Sequence, residues 1–287
     1  MRKALWRASW LLLPCLLFIG GCLHPNNPNV GGKELTKPAR RIVSLSPGAT
    51  EVLAKEGGLN FIVGRTESCN YPPYVKKIPV VASVKPDYEK VAKQRPDLIV
   101  YDPDLFNASD VEQMTRLSRM PPFALGGNTV KEFEDNLYSL AKLYTGETFV
   151  SEYVDNIESA KEASLGDPIK PTPTVALILP GESAEHMIAG IDSFYADEIR
   201  LASAKPVGPS GTKFFPMNAE SLIKMNPDII LVAGDPSIFS SDPRFASMTA
   251  IKKNRVTGIL QDAILRRGAR VDLVISQLHG SFAELMQ

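Results

Sequence analysis

Few residues in this chain are spaced for covalent chemistry, and those that are have a plainer use. Its three histidines, His24, His186 and His279, are scattered, without the clustering that a bound transition metal requires, so no metal site is expected. Ser221-Leu222-Ile223-Lys224 fits the S-x-x-K pattern of penicillin-interacting serine enzymes. The companion S-D-N and K-T-G segments are missing, as are G-x-S-x-G, H-E-x-x-H and a phosphate-binding loop. A serine hydrolase is therefore a remote alternative, and neither enzyme activity nor a cofactor is expected. The aromatic residues are more informative. Tyr71 and Tyr74, Tyr101 and Phe106, Phe194 and Tyr195, and Phe214 and Phe215 fall in stretches expected beyond the carboxyl ends of strands, where open α/β sheets bind ligands. Aromatic faces that bury roughly 150–250 Å² each suit a large, flat ligand.

The elements that must position these residues begin after an export leader. Arg2, Lys3 and Arg7 precede an apolar run from Leu11 to Phe18, too short to span a membrane and typical of a secretory signal over residues 1–21. Ile19-Gly20-Gly21-Cys22 resembles a bacterial lipobox, so Cys22 is expected to carry lipid as the mature N-terminus. Residues 22–39, rich in Pro, Asn and Gly, read as a flexible tether. Cys69 is then the other cysteine of the mature chain, and no internal disulfide is expected. The whole chain balances 32 basic against 32 acidic residues. Setting aside the leader's three cations leaves 29 against 32, and nothing in this predicts nucleic-acid binding. The localisation expected is exported and lipid-anchored, facing the periplasm or cell exterior.

The folded body reads as α/β, two lobes with mostly parallel sheets bridged by one long helix. Strand-like runs at residues 41–45, 61–63, 79–82, 98–101 and 123–125 alternate with helical patterns and define a first lobe over residues 40–145. Residues 130–164 carry almost no strand signal and read as two helices meeting near Gly146, the second forming the bridge over residues 146–166. Prolines at 168, 171 and 173 then open a second lobe over residues 167–287, with strands at 175–179, 229–233 and 256–259 and a closing helix from about Arg270. The lobes echo one another. Asp87-Tyr88-Glu89 through Arg95-Pro96-Asp97-Leu98 matches Asn218-Ala219-Glu220 through Asn226-Pro227-Asp228-Ile229: an Asx cap, a glutamate two residues on, a helix of about two turns, then Pro-Asp and a strand.

The segments RIVSLSPGATEVLAKEGG (41–58) and RTESCNYPPYVKKIPVV (65–81), with the two E-x6-P-D-hydrophobic repeats, resemble one family. The chain is similar over residues 40–285 to the helical-backbone (class III, cluster A) substrate-binding proteins of ABC importers, most of all to cobalamin-binding periplasmic members. That resemblance implies a monomeric receptor that holds a small molecule, a corrinoid, between its lobes and hands it to an ABC transporter permease. It implies that Glu89 and Glu220 dock against permease arginines; paired charges fix orientation and steer encounter. It assigns Tyr71, Phe214 and Phe215 to the ligand surface. It also assigns Asp262 and Arg266, an acceptor and a donor suited to the carboxamide rim of a corrin. Relatives carry a tryptophan where this chain has Val84-Lys85 and an aromatic where it has Ser68, and Arg266, Arg267 and Arg270 equally suit the carboxylates of a ferric siderophore or haem. These remain the alternative ligands. The lipobox makes its own prediction: Cys22→Ser should abolish acyl labelling and membrane retention, and a wild-type chain recovered unmodified and freely soluble would overturn the assignment.

Overall fold

Short runs of valine, isoleucine and leucine make the strands, and the Asx residues and prolines between them set where helices start. The computed structural model describes residues 37–287 apart from residue 84, residues 145–147 and residues 182–185. The leader, Cys22, nearly all of the tether, Val84 and the Gly146 junction lie outside the described residues.

In the first lobe, β1 (Ile42–Ser44), β2 (Ile62–Thr66), β3 (Val80–Ala82), β4 (Leu98–Tyr101) and β5 (Phe123–Ala124) form one sheet in the order β3-β2-β1-β4-β5. Every pair in it is parallel. The winding reverses between β1 and β4, and the crevice beyond their carboxyl ends is where such sheets receive ligands. The second lobe contributes β6 (Thr174–Leu179), β7 (His186–Ala189), β8 (Lys205–Pro206), β9 (Phe214–Met217), β10 (Ile229–Ala233) and β11 (Val256–Ile259). Their order is β11-β10-β6-β7-β9, with β8 paired to the start of β6. β6, β8, β10 and β11 are parallel, whereas β7 runs against both its neighbours, so β9 runs with β6. The antiparallel insert corrects the expectation for residues 214 and 215, which lie in a strand and not a loop. Pro216 is compatible with that strand because β9 is the edge of the sheet, where a missing N–H costs no ladder bond.

The bridge is the helix Thr148–Gly166, 19 residues and roughly 28 Å long at 1.5 Å per residue. Val150, Tyr153, Val154, Ile157 and Ala160 recur at helical spacing on its buried side. They join one apolar core with Leu53, Leu137 and Phe133 of the first lobe and with Val271 and Ile275 of the closing helix Val271–Met286. A single core thus anchors the bridge and the start of the closing helix to the first lobe.

The internal echo is structural. Asp87 caps the helix Tyr88–Lys93 by accepting from Lys90 N at 3.0 Å, and Asn218 caps Ala219–Met225 by accepting from Ser221 N at 2.8 Å. Each segment then turns through a left-handed residue, Arg95 (φ 45°) or Asn226 (φ 42°), just before its Pro-Asp. Asp97 accepts from Arg40 N (2.9 Å) and Arg41 N (3.0 Å), and Asp228 accepts from Thr174 N (2.9 Å). Each aspartate therefore ties the end of its helix to the first strand of its own lobe. Partial burial would raise the pKa of both, but these donors hold them below the ordinary carboxylate range.

Where the helix Pro47–Lys55 ends, Glu56 is buried against the bridge and the closing helix. Its pKa is pushed up to about 7, first by burial and then by Glu152 and Asp272, against the opposing pull of Lys55. The folded state therefore keeps this proton where the unfolded chain, with its ordinary value of 4.5, has lost it. Stability contributed here falls as pH rises from about 4.5 to about 7 and is flat above that window. The carboxyl group of Glu198, fully buried and with no hydrogen-bond partner among the described residues, also has its pKa raised, again by burial first. We predict that Glu56→Gln flattens the fall in melting temperature between pH 4.5 and 7 and raises it at pH 8. Parallel wild-type and variant melts across that range would refute the assignment.

Candidate functional site between the lobes

The chain that leaves β11 makes the site. A single helical turn, Gln261–Ile264, leads into Leu265-Arg266-Arg267-Gly268-Ala269-Arg270, and this segment crosses to the first lobe. It fits into the crevice beyond β1 because Gly48, in the first turn of the helix Pro47–Lys55, has no side chain; a Cβ there would collide with the Arg267 carbonyl. Ser46 starts that helix by accepting from Ala49 N at 3.3 Å, which sets the next turn, and Glu51 with it, against the incoming arginines.

Glu51 is 1% exposed and sits at the centre. Arg270 grips it with two parallel bonds, Nε to Oε2 at 3.0 Å and Nη2 to Oε1 at 2.7 Å, and Arg266 Nη1 adds a third at 3.2 Å. This forked geometry matches a planar guanidinium to a carboxylate. Arg270 also donates to the Asp262 carbonyl at 2.6 Å, and its guanidinium lies 4.5 Å from the Tyr71 ring centre. Beyond the end of β4, Arg267 Nη2 meets both Asp102 Oδ1 and Asp104 Oδ2 at 2.6 Å, while Nη1 donates to Gly127 O at 3.1 Å. Burial alone would lower the pKa of this guanidinium, but the two carboxylates outweigh it and raise it above its ordinary value.

Tyr71, Asp262 and Arg266 are thus brought together, with Asp262 Oδ2 and Arg266 Nη2 paired at 2.8 Å. Phe214 and Phe215 are separated, as adjacent residues of a strand must be. Phe214 packs beside Tyr195 with ring centres 5.2 Å apart, on the face of the sheet that carries the closing helix. Phe215 lies on the opposite face, its ring against Gly190 and Gly211 in a second apolar cluster, and does not join Phe214. Tyr195 is half-buried and close enough to Arg267, Asp102 and Asp104 to feel them. Burial chiefly, against the pull of Arg267, pushes its hydroxyl up to about 12. Tyr101 and Phe194 are core residues.

Glu89 and Glu220 are exposed in the first turns of the two matched helices, where a helix dipole favours a carboxylate. Neither makes an ion pair among the described residues. A cavity of about 440 Å³ lined by Lys85, Pro86 and Asp110 flanks the first helix, and one of about 490 Å³ lined by His186, Asn218 and Arg244 flanks the second. The residues that sequence reasoning missed are Glu51, Asn70, Asp102 and Asp104. Glu51 had one signal, a charge set within the apolar run of Ala49, Val52 and Leu53. The others, in polar turns, had none.

A sequence profile described as periplasmic binding protein matches residues 42–263. An uncharacterized ABC transporter substrate-binding lipoprotein of Bacillus subtilis (strain 168) is 25% identical, over 94% of this chain and 93% of that protein. Among solved structures, a periplasmic heme-binding protein in complex with two hemes superposes with a TM-score of 0.77 at 18% identity, over 88% of this chain and all of that one. The periplasmic vitamin B12-binding protein of Vibrio cholerae superposes with a TM-score of 0.76, also at 18% identity, over 87% of this chain and 99% of that one. At those identities the superpositions speak for the fold.

Proposed function

This chain belongs to the periplasmic binding protein family, and we propose that it is the exported, lipid-anchored receptor of an ABC importer, carrying a corrinoid between its lobes. The near full-length likeness to an ABC transporter substrate-binding lipoprotein supports the importer role and the anchor expected at Cys22. Solved relatives that bind vitamin B12 and heme support a large macrocyclic ligand.

The observation that carries the choice of ligand is the charge balance of the seam. Arg266, Arg267 and Arg270 face four carboxylates, those of Glu51, Asp262, Asp102 and Asp104. A ligand bringing carboxylates, such as haem or a carboxylate siderophore, would meet arginines already neutralised and would add negative charge to a site that has an excess of it. A neutral ligand rimmed with carboxamides suits the Asp262–Arg266 pair without adding charge to it, one oxygen accepting and one guanidinium edge donating. The Phe214–Tyr195 pair offers it an apolar face.

A scavenging receptor should bind cyanocobalamin more tightly than about 1 μM, or roughly −8 kcal/mol. Calorimetric titration with cyanocobalamin, haem and a ferric hydroxamate decides this, and Phe214→Ala should weaken corrinoid binding by about 1–3 kcal/mol as an aromatic anchor. A flat trace with cyanocobalamin beside heat from haem or the hydroxamate would keep the receptor and discard the corrinoid. The docking role makes a separate prediction. Replacing Glu89 and Glu220 together with alanine should weaken stimulation of the importer and leave ligand affinity unchanged, because both lie on exposed first turns. Equal loss of affinity and stimulation would place them in the binding site instead.

A further inference from the structure

We propose that Asn70 is a built-in stand-in for a ligand carboxamide: its side chain occupies the Asp262–Arg266 pair until a ligand amide displaces it. The inference rests on the reading of the seam as an amide-recognising site. An asparagine side chain is a primary carboxamide, the same group that rims a corrin. Asn70 Nδ2 donates to Asp262 Oδ2 at 3.0 Å while Asn70 Oδ1 accepts from Arg266 Nη1 at 2.7 Å. Arg266 Nη2 pairs with that same Asp262 oxygen at 2.8 Å, so the amide closes a ring across the ion pair with both of its ends used. Asp262 can only accept and Arg266 can only donate, so this arrangement also fixes which way the amide faces.

The contact is poorly suited to a purely structural tie between lobes. The Asp262 side chain is 45% exposed and Asn70 is itself half-buried, whereas the tie that holds the lobes, Glu51 with Arg270, is sealed from solvent. Exchange of one carboxamide for another leaves the number and kind of hydrogen bonds unchanged, so displacement carries little enthalpic cost. The backbone beneath is fixed. Cys69 is buried, with its Sγ 2.9 Å from Thr50 Oγ1 and 3.0 Å from Thr66 Oγ1. Rotation of the Asn70 side chain alone therefore releases the pair, without movement of either lobe. Such a plug sets a chemical threshold: an apolar group cannot repay both bonds, while an amide can.

A plug scales apparent affinity by the fraction of molecules in which the pair is open. Asn70→Ala should therefore tighten cyanocobalamin binding, on the order of three- to tenfold for a plug occupied most of the time. Asn70→Ser is the second variant should alanine compromise folding. In the ligand-free protein, melting temperatures of Asn70→Ala, Asp262→Ala and the double variant should be non-additive, since the two residues share a bond. Additive melts, or unchanged or weaker cyanocobalamin binding by variants of a wild type that does bind, overturn the plug and leave the corrinoid reading standing. Binding by neither wild type nor variant removes the corrinoid reading, and the plug with it.

Discussion

The structure depends on one carboxylate in an unfavourable place. Glu51 belongs to the first lobe, yet its oxygens are satisfied by Arg266 and Arg270 from a segment more than 200 residues along the chain. A carboxylate at 1% exposure would cost several kcal/mol in desolvation if left alone, and each arginine would cost as much if stranded. Removing one partner from such a buried group typically costs about 3–5 kcal/mol, because the survivor keeps its charge and loses its counterpart. The lobes are thus joined by an obligation that neither can discharge by itself. An apolar seam could offer comparable stability, but it would tolerate small slips, whereas a forked guanidinium–carboxylate contact has one geometry.

The same junction limits how the lobes move. Tyr153, from the bridging helix, donates its hydroxyl to Gly268 O at 2.6 Å and accepts from Val271 N at 3.1 Å. Lys55, at the end of the first-lobe helix, donates to Ala269 O at 3.3 Å and lies 4.0 Å from the Tyr153 ring centre. First-lobe helix, bridge and closing helix therefore meet at four consecutive residues, 268 to 271, through bonds that are buried or nearly so. A wide hinge motion would have to break all of them together. Side-chain exchange at the exposed edge, where Asn70 and Asp262 meet, costs far less. The proposed amide exchange is thus a local substitution within a stiff frame.

Much of this was legible in the sequence, and what was not shares one physical cause. Strands at residues 98–101 and 229–233 were readable because each is a continuous apolar run, which a strand covered on both faces requires. The matched helices were readable because caps, Pro-Asp stops and first-turn glutamates are local signals. β7 and β9 were not, since His186-Met-Ile-Ala and Phe214-Phe-Pro-Met are short and mixed, and their pairing is decided by partners far along the chain. Phe215 shows the consequence: composition placed it with Phe214, but the alternation of a strand sends it to the other face. Asp102, Asp104 and Asn70 sit in polar turns whose residue types are ordinary there. Only the tertiary crossing of the arginine segment gives them a role.

That crossing also bears on Ser68, one position where this chain departs from the cobalamin-binding members it resembles. At Ser68, where those relatives have an aromatic, the backbone carbonyl accepts from Arg266 Nη2 at 3.3 Å, and the same guanidinium reaches Glu51 and Asn70. On the proposed reading, stacking area is given up at that wall and directional bonding gained. The two are not equivalent in what they select. An aromatic wall accepts any flat apolar face of suitable size, whereas a paired acceptor and donor favour a ligand that can satisfy both. On the proposed reading, the net excess of one carboxylate over the arginines adds to this by disfavouring anionic ligands. On the proposed reading, fewer aromatics therefore do not make the site less selective; they move its selectivity from the face of a corrinoid to its rim.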